Sequence, residues 1–361
     1  MLYRIFLITF VFSALIQPSA AQTGYFQTTL VKDGDDFSFP IFSHGGGEKV
    51  STKTNRLLQL SELYRLVRRP YSARIFDQSK ANDGSIYGGK VSLVGTIYSN
   101  NGRILSIGFD QTACGATCGY WNNYYNLNSG NGDRIDLRDL FTSDGYQAFF
   151  KAIVEKRSVK YRREVKKKVE AQFQEAYLDT LGCFENDDLS DFYIRKQAIV
   201  IDGYNCLVKG QKVDGLDMTA VFELSAFRRY LNSYGKAIFG LERSDISRFR
   251  STELPQLFEG AVNGTLPIVM VLGPRFESSY AGFYAYLKYG EGISLKGSEK
   301  NKSIELTEYV LSPTVTNDER GEIRKAQKNG YITGNLTGRT FEGTWSDATK
   351  TKQLGFSATI R

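Results

Sequence analysis

Apolar and polar positions alternate along this chain with periods that change from segment to segment, and each period predicts an element. Residues 5–16 form an apolar run, broken only by Thr9 and Ser13, behind Arg4 and followed by Pro18 and the small residues Ser19, Ala20 and Ala21. The run is too short for a bilayer span of about 20 residues. Residues 1–21 are therefore expected to be a secretory signal peptide, cleaved before Gln22. Residues 22–40 read as a first strand region, with Phe37 and Phe39 alternating. Between 50 and 68 the apolar positions Leu57, Leu58, Leu60, Leu63, Tyr64 and Val67 suit an amphipathic helix. Residues 70–90 are polar and glycine-rich, hence mostly loop. Two strand-like runs within 91–110 flank Asn100-Asn101-Gly102, a strong hairpin signal. A further strand at 120–127 stops at the turn-rich stretch 128–132. Thr142 or Ser143 can cap a long helix, expected to reach about residue 177 on a stripe of Phe149, Ile153, Val165, Val169 and Phe173. Strands at 192–202 and 219–224 and a short helix at 225–233 complete this half.

The pattern shifts near residue 245. Residues 244–255 are polar and charged, a candidate linker. Beyond Gly264 come short β-runs punctuated by glycine, at 266–272, 281–289, 293–296, 304–310, 331–336, 340–345 and 355–360. Residues 311–329 read as a longer charged loop. Short strands without a strong helix predict an antiparallel β-barrel or sandwich. The expected fold class is α+β. An N-terminal α+β domain (22–245), with an antiparallel sheet and one long helix, precedes a C-terminal all-β domain (260–361).

Composition narrows the chemistry. Hydrophobic residues at 41% and charged residues at 24% are ordinary for a globular chain, which sets disorder aside. Lys and Arg total 46 against 39 acidic residues, a net charge of +7 that invites an anionic partner. An exported chain is not expected to meet nucleic acid, and no span remains once the signal is removed. Loss of Arg4 leaves +6, and residues 151–170, with nine basic and three acidic side chains, account for all of it. The basic character thus belongs to one predicted helix. The single histidine, His44, cannot build a multi-histidine metal site. No P-loop or Gly-x-Ser-x-Gly is present, and neither metal nor cofactor is expected. The four cysteines suit disulfides in an oxidising compartment. The preferred pairing is Cys114–Cys118, where Gly115, Ala116 and Thr117 let the chain curl, with Cys183–Cys206. Zinc is the weaker alternative, since the second pair is 23 residues apart with no histidine nearby.

One stretch carries a resemblance. The loop Cys114-Gly115-Ala116-Thr117-Cys118 precedes Tyr124-Tyr125-Asn126-Leu127, then Gly130, then Ile135-Asp136-Leu137-Arg138-Asp139-Leu140-Phe141 before a helix. Together with Asn55, Phe192-Tyr193-Ile194 and Tyr230-Leu231-Asn232, this order resembles the RsiV/PdaC-type extracytoplasmic domain. That domain occurs in a lysozyme-sensing anti-sigma factor and beside the catalytic domain of some peptidoglycan deacetylases. The resemblance covers about residues 30–240 and implies a bacterial envelope protein. The family loop usually carries a histidine where Thr117 stands here, so no role transfers from it. A metal-dependent deacetylase needs His and Asp ligands, which one histidine cannot supply. The segment after 260 is similar, in fold only, to small β modules appended to envelope proteins.

Three groups are candidate sites. Tyr120, Trp121 and Tyr124 lie in an aromatic run with amides that suits sugar rings, although strand alternation must send some of it to a core. Arg162, Arg163, Lys166 and Lys167 form a basic face for anionic wall polymer or an acidic protein; a solvated helix face is the plainer reading. Glu185, Asp187, Asp188 and Asp191 are clustered acids that could serve a hydrolase or bind calcium, with a solvated loop as the plainer reading. The expectation is a non-catalytic binding or sensor module, periplasmic or secreted, whose partner is peptidoglycan or an envelope protein such as a lysozyme. The alternatives are an envelope hydrolase or deacetylase using the acidic cluster, and a structural interaction domain.

Overall fold

The computed structural model describes residues 25–43, 45, 47–67, 75–80, 86, 89–185, 189–213, 215–274, 279–318 and 321–361, with backbone alone at 213, 311–318 and 321–326. Residues 1–21, where a signal peptide is expected, and His44, Asp187 and Asp188 lie outside the described residues.

The fold is α+β, and its first layer is a five-stranded sheet. Its strands, in spatial as well as chain order, are β1 (Gln27–Asp33), β2 (Phe37–Ser43), β3 (Lys90–Asn100), β4 (Ile104–Cys114) and β5 (Cys118–Asn128). All neighbours are antiparallel except β2 and β3, which run parallel over Phe37↔Leu93 and Ser38↔Val94. The connection between that pair contains α1 (Glu48–Leu58), which widens into a π turn at Gln59–Leu63 and stops at Tyr64 with φ 54°. The single helix expected over 50–68 is thus shorter and ends on a left-handed residue. One face of the sheet and this helix form a core containing Phe39, Leu57, Leu60, Leu93, Leu105, Ile107 and Phe109.

The opposite face receives a small antiparallel sheet of β6 (Phe192–Arg195), β7 (Ala198–Ile201) and β8 (Ala220–Glu223). The strand expected at 192–202 is a hairpin instead, turning at Lys196, whose φ is 53°. Side chains bond the β6 backbone where no strand does. Ser99 Oγ donates to Ile194 O at 2.8 Å, Asn126 Nδ2 donates to Phe192 O at 2.8 Å, and Ile194 N donates to Ser106 Oγ at 3.1 Å. These buried polar residues satisfy main-chain groups that water cannot reach.

Helix α2 (Ser143–Lys168) is capped by Thr142, whose Oγ1 accepts from Gly145 N at 3.1 Å. Its buried stripe is Phe149, Ile153, Arg157, Tyr161 and Val165, one residue every four. It ends nine residues before the expected 177. Val169 turns extended (φ −109°, ψ 135°), Phe173 is exposed, and Lys166, Lys167 and Lys168 complement the helix dipole at this end.

The C-terminal half is a closed antiparallel barrel. Its strands are β9 (Gln256–Val262), β10 (Leu266–Pro274), β11 (Ser279–Tyr286), β12 (Gly292–Lys300), β13 (Ser303–Asp318), β14 (Gly321–Thr337), β15 (Thr340–Asp347) and β16 (Gln353–Ile360). Closure joins β16 to β9 through Ile360↔Phe258. The interior is filled by side chains such as Met270, Leu295, Leu306, Ile332 and Phe356. The charged loop expected at 311–329 is instead the paired continuation of β13 and β14. Pro313 falls between Leu311 and Val315, where the ladder shifts register and no amide donor is required.

The barrel's outer face also carries apolar residues. Leu257, Val269, Val271 and Ala285 join the core beneath the first sheet. At the seam, Gly290 and Gly292 let chain segments touch: a Cβ there would lie 2.4 Å from Leu66 O and 2.1 Å from Tyr64 O. The backbones bond directly, Leu66 N to Gly290 O at 2.6 Å and Gly292 N to Tyr64 O at 3.0 Å. A second tie is polar. Asp133, nearly fully buried, accepts from Lys53 and from Arg339 at 3.0 Å.

Candidate functional site: a tyrosine and aspartate face framed by two disulfides

Two disulfides join Cys114 to Cys118 and Cys183 to Cys206, consistent with an extracytoplasmic location. Both border the same face of the five-stranded sheet. Cys114 and Cys118 are register partners at the tip of the β4–β5 hairpin, so the bond pins the ladder that sets Asp110 opposite Asn122 and Thr112 opposite Tyr120. Cys206 closes a 3-10 turn at Tyr204–Cys206, and its bridge anchors that turn to the helical turn Leu181–Glu185.

The turn lies alongside β5. Asn205 mimics a strand neighbour: its Oδ1 accepts from Asn122 N at 3.1 Å and its Nδ2 donates to Asn122 O at 2.9 Å. Just before the turn, Asp202 accepts from Tyr124 Oη and from Asn122 Nδ2 at 3.0 Å, while its other oxygen accepts from Tyr204 N at 3.1 Å. Tyr193 from β6 stacks on Tyr98 at 3.8 Å between centroids and on Tyr124 at 5.3 Å. Lys212 lies 4.5 Å above the Tyr204 ring and donates to Tyr120 O.

Beyond this stack opens a cavity of about 240 Å³ walled by Ser92, Asp110, Thr112, Tyr120, Asn122 and Tyr204. Asp110 reaches solvent and has no hydrogen-bond partner among the described residues. Displacement of water by the surrounding rings raises its pKa, and the charge of Asp202 adds to the shift. The Tyr124 hydroxyl is pushed strongly upward by burial and then by Asp202, and stays neutral. Lys212 is lowered by burial. The face therefore offers ring surfaces, a free carboxylate, and amide and hydroxyl groups in one hollow.

The structure separates the aromatic run. Tyr120 and Tyr124 belong to this face, Tyr124 as a buried support and Tyr120 at the exposed rim. Trp121 lies on the opposite side of the strand, in the same alternation as Asn123 and Tyr125. Those two donate to the fully buried Glu62, at 2.9 and 2.5 Å, which also pairs with Lys90 at 3.1 Å. Arg162, Arg163, Lys166 and Lys167 are exposed and in no ion pair among the described residues. Arg157, counted with them in the sequence, is fully buried, its guanidinium 4.4 Å from the Phe184 ring. Of the acidic cluster, Glu185 ends a helical turn and Asp191 precedes β6. Among the described residues no group of three or more His, Cys, Asp or Glu side chains could hold a metal ion, and no helix is long and apolar enough to cross a membrane. Tyr98, Tyr193, Asp110 and Asp202 were not legible as one site, because they come from three strands and a loop. The disulfide spacings were the available signal. The chain matches no known family model and no curated protein.

Proposed function

We propose that this protein is an exported, non-catalytic binding module of the bacterial envelope, and that it holds a saccharide chain, the glycan of peptidoglycan first, on the face around Tyr98, Tyr120, Tyr193, Tyr204 and Asp110. The observation that carries this reading is the pairing of tyrosine rings with a solvent-reaching carboxylate, Asp110, that has no hydrogen-bond partner among the described residues, inside a frame of two disulfides. Sugar rings present apolar CH faces and hydroxyl edges, and aromatic planes beside carboxylate and amide groups match both. A disulfide frame keeps the walls in place before binding, which lowers the ordering cost. The motif order shared with RsiV/PdaC-type domains and the signal-like residues 1–21 support export and an envelope setting.

The test is co-sedimentation with purified peptidoglycan, alongside a lysozyme-binding assay. Wild type is expected to sediment, Tyr204→Ala and Asp110→Ala to lose about tenfold in affinity, and Val159→Ala, at an exposed helix position, to behave as wild type. Lysozyme binding without peptidoglycan binding would move the proposal to a protein ligand, and binding to neither would end it. A hydrolytic reading has one observation in its favour, the raised Asp110 beside a second carboxylate, Asp202. Release of reducing ends from cell-wall fragments, lost in Asp202→Asn, would select it instead.

A further inference from the structure

A second cavity, of about 560 Å³, lies where the N-terminal half meets the open end of the barrel. The size falls within the range of small-molecule sites, which favour barrel mouths and domain seams. One wall comes from the π turn and the residues after it, with Leu63, Tyr64 and Arg65, and from Gln78, Ser79 and Lys80. The other comes from the barrel, with Tyr286, Tyr289, Ile293, Tyr309 and Val310. The seam is fixed by the close backbone approach that Gly290 and Gly292 permit.

The barrel-side rings continue inward. Tyr289 meets Tyr286 edge-on at 6.3 Å, and Tyr286 meets Tyr284 at 5.5 Å. Tyr284 Oη donates to Glu308 at 2.6 Å, as does Trp345 Nε1, and Asn329 Nδ2 donates to the other oxygen at 3.0 Å. Glu308 is fully buried, and these three donors satisfy it. The floor behind the cavity is therefore a closed polar knot and not a channel into the barrel.

Among the described residues the charges at the cavity balance. Lys80 is paired with Asp33 at 2.5 Å, and Arg65, which donates to Gln78 O, bridges in backbone register to Glu291. Among the described lining residues no excess of either charge favours an ion. Four tyrosines supply planes and hydroxyls, Leu63, Ile293 and Val310 supply an apolar patch, and the rim mixes donors and acceptors. A purely aromatic ligand would leave that polar rim unmatched, whereas a hydroxylated ring uses both kinds of surface. We propose that the barrel mouth is a second binding site, for a neutral saccharide of about two rings.

The probe is chitobiose, with cellobiose as a second neutral disaccharide and 2-naphthol as an aromatic without a hydroxylated ring. Binding to the full chain is followed by saturation-transfer NMR and tyrosine fluorescence. Wild type is expected to bind a disaccharide in the millimolar range or tighter. Tyr289→Ala, at a residue 64% exposed, and Ser79→Trp, which fills the cavity, should each weaken it about tenfold with circular dichroism unchanged. Tyr204→Ala, at the disulfide-framed face, should leave this binding intact, so failure here is distinguishable from failure of the peptidoglycan reading. Absence of disaccharide binding, binding of 2-naphthol alone, or binding insensitive to both cavity variants would each overturn the proposal.

Discussion

Asp139 shows how one residue can set a pH response. It lies in the Ile135–Phe141 turn, where its carboxylate accepts from Asp136 N at 2.8 Å and Ser251 Oγ at 2.9 Å. Burial outweighs these bonds and pushes its pKa up to about 6. Between the unfolded value near 4 and about 6, the folded chain keeps a proton that the unfolded chain has released. The contribution of Asp139 is therefore full below about pH 4 and is lost as pH rises through 6. Asp139→Asn cannot titrate and should remove that slope. Urea unfolding of both proteins at pH 4, 5, 6 and 7 should show their stability difference changing by on the order of 2 kcal/mol, all of it within this window. A difference constant across the four pH values would contradict the assignment.

At the scale of an element, helix α2 sorts its charges between packing and solvent. Its basic residues divide by the helical period. Arg157 is buried, Lys156 and Lys160 donate to main-chain oxygens of β8 and the residue before it, and Lys168 pairs with Glu164 at 2.8 Å. Arg162, Arg163, Lys166 and Lys167 form two i,i+4 rows in solvent. Like charges at that spacing repel weakly, so the face gives little stability and is available for an anionic partner. Reversing all four to glutamate should cost about 1–2 kcal/mol of unfolding free energy, chiefly through Lys166 and Lys167 at the helix C-terminus. The same change should abolish sedimentation with anionic wall polymer at low salt, where screening is weakest. Binding that survives the reversal would leave the charge as a solubility feature.

The same helix shows what a sequence can and cannot disclose. Its cap at Thr142 and its core residues Phe149, Ile153 and Val165 were legible because helical period and capping are local. The burial of Arg157 was not, since it depends on Phe184, 27 residues away, and on the disulfide at Cys206, 49 residues away. The β3–β4 hairpin was readable from Asn100-Asn101-Gly102 for the same local reason, and the cysteine pairing from spacing and compartment. The extension of β13 and β14 was hidden because residues 311–329, rich in charged and polar side chains, lack the apolar alternation that marks a strand. At the disulfide-framed face, Tyr120 and Tyr124 stood in the visible run. Their partners Tyr98, Tyr193 and Asp202 come from distant parts of the sequence and meet them only through tertiary stacking and hydrogen bonding.

At the scale of the molecule, the barrel and the first sheet stabilise one another. A barrel strand whose outer face meets water would alternate apolar inside with polar outside. Here β10 buries Ile268, Met270 and Leu272 inward and Val269 and Val271 outward, and the outward pair reaches the core that holds Leu57 and Phe109. Separated, each half would expose part of that core, and the Lys53–Asp133–Arg339 cluster would be left with unpaired buried charge, which is costly. The two halves are therefore expected to unfold together. Calorimetry of the full chain should give one transition. Val271→Asp places a carboxylate in the shared core with no cationic partner, at a cost on the order of 3 kcal/mol. It should lower that single transition while circular dichroism and tyrosine fluorescence report the same midpoint. Fluorescence from the tyrosine stack on the first sheet should fall with it, although Val271 belongs to the barrel. Two resolved transitions in wild type, with only one shifted by Val271→Asp, would show that the seam couples the halves too weakly to act as a shared core.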